Sequence, residues 1–174
     1  MNPNSMTPVD WAKRPLQKYV DFTGRAPRAE YWWYVLAIIV LSIVARIIDN
    51  ILGMNVVGTY GPLSLIVMLG LLVPNLAVSV RRLHDTNRSG WWILLPIIPY
   101  CAAFLFGGAA MMGAASGSSA GMMAGAGLAG IFLLIGFVCA SVLLVFMCLP
   151  STPGENRYGP NPYGEDEGST VAAE

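Results

Sequence analysis

The chain alternates between long apolar stretches and short polar segments, and this pattern predicts its architecture. Apolar residues dominate four stretches, at about residues 31–52, 63–80, 91–112 and 128–149. An α-helix rises 1.5 Å per residue, so stretches of roughly 18 to 22 residues reach about 27 to 33 Å, close to the ~30 Å hydrocarbon core of a bilayer. The sequence therefore predicts an all-α, polytopic membrane protein with four transmembrane helices.

Polar segments flank this membrane domain, which we place at residues 21–150. Residues 1–20 are polar, and Thr7 to Asp10 are typical of a helix N-terminus. We expect a short helix there that lies at the membrane interface, with Trp11 and Tyr19 as aromatic anchors. Residues 151–174 form a tail rich in turn formers, and the composition of its last dozen residues predicts disorder.

Composition agrees with a membrane location and excludes several classes of function. The chain is 55% hydrophobic and 11% charged, less than half the ~25% charged content of soluble domains. Its net charge is zero, which argues against nucleic acid as a partner, because phosphate binding needs a basic excess. The cysteines lack metal-ligand spacing, and a single histidine cannot form a haem pair or a zinc site. The sequence therefore predicts no cofactor and no metal.

The positive charges predict the orientation of the chain. Nine of the ten Lys and Arg residues lie before the first span, between the second and third spans, or after the fourth. Positive charge marks the cytoplasmic side, so we expect both termini and the central loop to face the cytoplasm. The tenth, Arg46, lies three residues before Asp49, and we expect the two to pair near the outer end of the first span. A functional intramembrane charge is the alternative.

Helix breakers and glycines affect the regularity of the spans. Pro74 removes the hydrogen bond to the carbonyl of Gly70, which predicts a kink in the second span, and Pro96 and Pro99 predict a bent third span. Residues 107–127 are rich in small residues, with glycines at four-residue spacing: Gly113, Gly117, Gly121 and Gly125. On a helix they would form a stripe suited to close packing. Each glycine costs about 1 kcal/mol relative to alanine in a helix, so we favour a flexible loop.

Three polar segments on the predicted cytoplasmic face carry most of the hydrogen-bonding groups. The candidate functional or structural motif that they form comprises Gly24, Arg25, Arg28, Glu30, Arg81, Arg82, His84, Asp85, Gly90, Trp91, Asn156, Tyr158 and Gly159. We expect its arginines to pair with Glu30, Asp85 and Glu155, which would hold the loops against the helix ends. Contact between the arginines and anionic lipid headgroups is the alternative.

The sequence predicts no catalytic residues. The pair His84-Asp85 suggests a general base oriented by a carboxylate, but adjacent residues on a helix point about 100° apart. No serine or cysteine has the surroundings of a nucleophile. We expect a structural or pH-responsive histidine, and we favour a non-enzymatic protein while leaving an enzyme open.

Three motifs, in this order, resemble those of the DUF805 family of membrane proteins over about residues 19–162. They are Phe22-x-Gly24-Arg25-x-x-Arg28-x-Glu30-Tyr31-Trp32, then Arg81-Arg82-Leu83-His84-Asp85 with Ser89-Gly90-Trp91-Trp92, then Pro153-Gly154-x-Asn156-x-Tyr158-Gly159-Pro160-x-Pro162. We refer to them as the opening, central and closing motifs. The resemblance implies a multi-pass protein of the bacterial inner (plasma) membrane. It implies no characterised enzyme, cofactor or substrate.

Three functions remain open at this point. The first is a binding, regulatory or accessory membrane protein that acts through the cytoplasmic Arg/His/Asp motif. It would contact the lipid bilayer, with anionic headgroups or another membrane protein as partners. The alternative is a transporter or channel component, because interrupted helices often line substrate sites; with four spans it would need to oligomerise, and a homo-oligomer is left open. The third is an enzyme that acts on lipid.

Overall fold

The structure, a computed structural model, describes residues 5–54, 56, 58 and 60–163. These residues form five α-helices, α1 (Pro8–Gln17), α2 (Arg28–Ile51), α3 (Pro62–Asp85), α4 (Leu94–Ala115) and α5 (Ser119–Cys148), with a 3-10 turn at Gly90–Ile93. Four helices, α2, α3, α4 with the preceding turn, and α5, are long and apolar enough to cross a membrane. The predicted all-α membrane fold is confirmed. The disorder predicted for the end of the tail falls, from residue 164 onward, outside the described residues.

The chain divides into two compact units. The first unit contains α1, α2 and α3 together with the tail that follows residue 150. The second unit, residues 91–149, is the hairpin of α4 and α5. All three sequence motifs except Trp91 and Trp92 therefore belong to the first unit.

In the first unit, α2 and α3 pack side by side and run in opposite directions. Glu30 in the first turn of α2 contacts Arg81 near the end of α3, and Asp49 near the end of α2 contacts Ser64 at the start of α3. Between these ends, Tyr34 and the fully buried Val78 form a small apolar core. The antiparallel pair thus brings the opening and central motifs to one end.

Helix α1 lies against this pair. Its N-terminus has the capping box that the sequence suggests, because the Thr7 hydroxyl accepts a hydrogen bond from the Asp10 N–H while the Asp10 carboxylate accepts one from the Thr7 N–H. Trp11 is only 6% exposed. Its predicted role as an interface anchor is therefore wrong, because protein rather than headgroups covers the ring.

Proline does not interrupt the long helices. Helix α3 continues through Pro74, and the carbonyl of Gly70 accepts a hydrogen bond from the hydroxyl of Tyr19. The segment after α1 therefore supplies a donor to the carbonyl that the proline leaves free. Helix α4 likewise continues through Pro99.

Asp49 caps the N-terminus of α3. Its carboxylate accepts hydrogen bonds from the N–H groups of Leu63 and Ser64, at 3.2 and 2.8 Å, and from the Ser64 hydroxyl at 2.6 Å. It satisfies two free N–H groups and complements the helix dipole. Gly61 permits this approach, since a Cβ there would lie 2.4 Å from the Asp49 Cγ. The sequence predicts Asp49 as a partner for Arg46 or as a functional intramembrane charge, and it misses this capping role.

The second unit corrects the expectation of a flexible loop at residues 107–127. Residues 107–115 continue α4, residues 119–127 belong to α5, and the turn between them is confined to residues 116–118. Gly117 has φ +73°, a left-handed conformation that glycine adopts without steric cost. The tract is therefore a tight helical hairpin.

Close contact between the two helices accounts for the glycines. A Cβ on Gly125 would lie 2.7 Å from the backbone nitrogen of Ala110, and one on Gly113 would lie 2.6 Å from the backbone nitrogen of Met122. Real Cβ atoms do not approach backbone so closely, so only glycine allows these helix backbones to meet. The packing that this approach permits offsets the low helix propensity of glycine.

We predict opposite effects for two glycine substitutions in α5. Gly125→Ala should destabilise the protein by about 1 to 3 kcal/mol, because the new methyl group forces the helices apart. Gly130→Ala, where a Cβ meets nothing within 4 Å, should be neutral or stabilise it by up to about 1 kcal/mol through helix propensity. Thermal unfolding in one detergent measures both. Equal effects of the two substitutions would contradict the close-contact explanation.

Candidate functional site

The C-terminal end of α3 is completed by residues from the closing motif and from the residues just before it. Residues 81–85, which follow the predicted second span, form the last turn of α3, and a helix end leaves carbonyls without intrahelical partners. The carbonyl of Asp85 accepts hydrogen bonds from the N–H and the hydroxyl of Thr152, both at 3.0 Å. The carbonyl of His84 accepts one from the Asn156 amide at 3.0 Å. The tail therefore acts as the cap of this helix.

Asp85 lies at the centre of the site. Its carboxylate accepts hydrogen bonds from Arg25 Nε at 3.0 Å, from Arg82 Nη1 and from the Ser151 hydroxyl. The side chains of both arginines and of Asp85 are buried, at 1%, 0% and 0% exposure. We call the group Arg25, Arg82, Asp85, Ser151 and Thr152 the clasp. It joins the opening motif, the central motif and the tail in one charged, buried cluster.

Arg25 also binds the backbone of the tail. Its Nη2 donates to the carbonyl of Thr152 at 2.6 Å, and its Nη1 donates to the carbonyls of Gly154 at 2.8 Å and Gly159 at 3.3 Å. Gly154 and Gly159 have φ +63° and +128°, conformations that residues with a Cβ rarely adopt. The glycines of the closing motif thus let the tail curve around one guanidinium group.

His84 does not face Asp85. Its ring stacks on Tyr158, with centroids 3.8 Å apart and an interplanar angle of 4°, and its Nδ1 lies 3.2 Å from the carbonyl oxygen of Gly24, to which it can donate. Residues from all three motifs therefore meet at the histidine. The imidazole is half-buried and holds loops together, and no carboxylate among the described residues orients it as a general base would require.

A second buried ion pair lies beside the clasp. Arg81 Nη1 donates to Glu30 Oε1 at 2.7 Å, and both side chains are fully buried. Arg14 of α1 approaches the other Glu30 oxygen, with Nε 3.4 Å from Oε2. The carbonyl of Arg81 accepts a hydrogen bond from the N–H of Ala26 at 3.0 Å. This pair fixes α1 and the opening motif to α3, as the expected pairing of Glu30 with an arginine predicts.

Four predicted residues stay outside these contacts. Arg28 is exposed at the start of α2, and Trp91, 78% exposed, belongs to the other unit. Gly90 lies against α3, where a Cβ would come within 2.8 Å of Val80 Cγ1. Glu155 is exposed, and among the described residues it takes part in no ion pair. Its expected pairing with an arginine is therefore wrong.

Sequence reasoning missed three residues that complete the site. Ser151 and Thr152 come directly after the fourth span, and both form hydrogen bonds with Asp85. In the sequence, only their position next to the closing motif could have drawn attention to them. Tyr163 lies beyond that motif and is half-buried. Burial raises the pKa of Tyr163, and a hydrogen bond with the backbone of Ala29 opposes the shift. The tail therefore reaches the first turn of α2.

Comparison with known proteins places this arrangement in a family. The family model described as "Protein of unknown function (DUF805)" matches residues 19–160, a range that contains the clasp and His84. The chain belongs to the DUF805 family. The residues matched by the DUF805 model include the opening motif, the central motif and the closing motif as far as Pro160.

Two of the curated relatives that the chain matches are named as inner membrane proteins. The chain is 35% identical to "Inner membrane protein YhaH" of Escherichia coli (strain K12), over 88% of this chain and 97% of the relative. It is 34% identical to "Inner membrane protein YhaI" of the same strain, over 88% and 96%, and 29% identical to "Uncharacterized protein YiiR" over 46% and 51%. No solved structure matches. The protein is a multi-pass protein of the bacterial inner membrane, in contact with the lipid bilayer.

We predict that the two buried carboxylates are essential to stability. Asp85→Asn removes the charge that two buried arginines share, and Glu30→Gln does the same for Arg81. Each change should lower the free energy of unfolding by about 3 kcal/mol or more, because it leaves buried positive charge uncompensated. Glu155→Gln, which alters an exposed carboxylate, should change it by less than about 0.5 kcal/mol. Thermal unfolding in detergent compares the three; unchanged stability of Asp85→Asn would refute the clasp, and unchanged stability of Glu30→Gln would refute the role of the second ion pair.

Proposed function

We propose that the protein is a non-enzymatic binding or accessory protein of the inner membrane. In this proposal the clasp end of the first unit faces the cytoplasm and presents a basic surface to another membrane protein. The distribution of Lys and Arg along the chain supports this orientation, since positive loops stay in the cytoplasm. The clasp itself is the scaffold that holds the surface in shape.

The observation that carries the proposal is that both carboxylate oxygens of Asp85 are engaged by protein groups. The carboxylate accepts three hydrogen bonds from side chains. Arg25 donates its hydrogen bonds to Asp85 and to carbonyls of the tail. A general base or a nucleophile must reach the reacting atom of a substrate. Groups that are buried and engaged in this way serve structure, which argues against an enzyme that uses the motif for catalysis.

The surface around the clasp is suited to a negatively charged partner. Arg28 and Arg157 are exposed, and Arg157 is held in place, with its Nη2 3.1 Å from the Asn87 carbonyl oxygen and its Cζ 4.8 Å from the centre of the Tyr158 ring. A guanidinium fixed in this way binds carboxylates in a defined geometry. We therefore propose an acidic cytoplasmic segment of a membrane protein as the partner.

The alternative of a transporter component has less support. The sequence supports this alternative through the prolines in the spans, because prolines can interrupt helices and interrupted helices form substrate sites in many transporters. Helix α3 is continuous through Pro74 and α4 through Pro99. The prolines therefore favour packing over the formation of a substrate site.

The proposal predicts a charge-dependent cross-link in living cells. A photoreactive amino acid at position 155, exposed beside Arg157, should form an adduct with a membrane protein. Arg157→Glu should reduce the adduct by about fivefold or more, the equivalent of roughly 1 kcal/mol. Lys13→Glu, which reverses an equally exposed charge on α1, is the matched control and should leave the adduct unchanged.

Expression level and thermal stability of each variant are measured in parallel, so that loss of fold is not taken for loss of binding. An adduct with lipid instead of protein would overturn the proposed partner. Equal losses with Lys13→Glu and Arg157→Glu would overturn the proposed surface.

A further inference from the structure

A cavity with both apolar and polar side chains in its lining lies between α2 and α3, away from the clasp. It has a volume of about 260 Å³, and its polar lining includes Ser42 and Arg46 of α2 and Asn75 of α3. At roughly 30 Å³ per molecule this is room for about eight waters. It is smaller than the ~300 to 1,000 Å³ of drug-sized ligand sites. The size therefore suits water or a compact solute.

The cavity extends from one end of the helix pair towards its middle. Arg46 lies five residues before the end of α2, whereas Asn75 follows Pro74 near the middle of α3. Along α3, the distance from Ser64 to Asn75 is about 16 Å, roughly half of a ~30 Å hydrocarbon core. Polar groups thus line a path from the end opposite the clasp to the middle of the membrane.

Two of these groups lack partners. Within the described part of the chain, neither the Ser42 hydroxyl nor the Asn75 amide has a hydrogen-bond partner in the protein. An amide or a hydroxyl left unpaired in hydrocarbon costs about 2 kcal/mol or more. Such groups inside a membrane protein face other polar groups or a water-filled space. An acyl chain in the cavity would leave the Asn75 amide unpaired, so lipid is a poor occupant.

Charge determines which solute the cavity favours. Among the described residues that line it, Arg46 alone is charged. Its guanidinium carbon lies 4.3 Å from the centre of the Tyr60 ring, which holds it beside the entrance. The nearby Asp49 carboxylate is directed at the N-terminus of α3. A guanidinium group fixed at the cavity attracts anions.

We propose that this cavity is a hydrated vestibule that admits a small oxyanion, such as a carboxylate, to Arg46 from the membrane face opposite the clasp. Ser42 and Asn75 then bond to water or to the solute, which removes the cost of leaving their polar groups unpaired in hydrocarbon. This site is independent of the binding surface proposed above and lies at the other end of the first unit.

Reactivity of introduced cysteines tests the proposal. The full chain, with Cys101, Cys139 and Cys148 changed to alanine, carries Asn75→Cys or, as a matched control, Leu69→Cys, which replaces a well-exposed residue of α3 outside the cavity lining. Open membrane fragments are treated with thiosulfonate reagents that bear either a sulfonate or a trimethylammonium group. Asn75→Cys should react, and Leu69→Cys should not, because charged reagents do not enter lipid.

Arg46 should set the charge preference. At Asn75→Cys the sulfonate reagent should react about tenfold faster than the cationic reagent, as expected for focusing by a fixed charge. Arg46→Gln should abolish this preference and Arg46→Lys should keep it, with thermal stability as a check on folding. An Asn75→Cys variant as unreactive as Leu69→Cys would overturn the vestibule and indicate that lipid or another helix fills the cavity. Rapid reaction without a preference that depends on Arg46 would overturn the anion site.

Discussion

The first unit depends on one buried carboxylate shared by two arginines. Burying three charged groups costs several kcal/mol per ion, and the arrangement is tolerable only when every charge has a partner in good geometry. Asp85 provides that partner for Arg25 and Arg82, while Ser151 and the tail carbonyls satisfy the remaining donors and acceptors. Segments far apart in sequence are therefore held together, because each of them bonds to this buried charged cluster.

Helix α3 is the element that these contacts organise. Outside residues cap both of its ends, with Asp49 binding its first N–H groups and Thr152 and Asn156 binding its last carbonyls. Tyr19 binds the carbonyl that Pro74 frees in its interior. A backbone group without a hydrogen-bond partner is costly in a membrane, so the neighbouring segments stabilise α3 by bonding to its ends and to the carbonyl that its proline frees. The proposed binding surface and the proposed vestibule lie at opposite ends of that helix.

Sequence reasoning succeeded where the physical signal is local. Four apolar stretches predict four helices because length and hydropathy determine membrane insertion, and the arginines of the predicted cytoplasmic segments predict ion pairs with Glu30 and Asp85. It failed where contacts between distant segments determine the local structure. The low helix propensity of glycine predicts a loop around Gly125. The close contact between the backbones of α4 and α5 stabilises a helical hairpin there instead. The stacking of His84 on Tyr158 and the capping by Asp49 join distant segments, and no spacing in the sequence encodes them.

Amide hydrogen exchange of wild type and Asp85→Asn in the same detergent tests the central claim most directly. The N–H groups of Ala26 and Thr152 bond to the carbonyls of Arg81 and Asp85, so each reports on one segment held against α3. If Asp85 holds both, peptides that contain Ala26 and Thr152 should each exchange at least about tenfold faster in the variant, because local opening becomes easier. Peptides of the α4–α5 hairpin should be unchanged. Protection that is unaltered in both segments, or lost equally in the hairpin, would contradict the account.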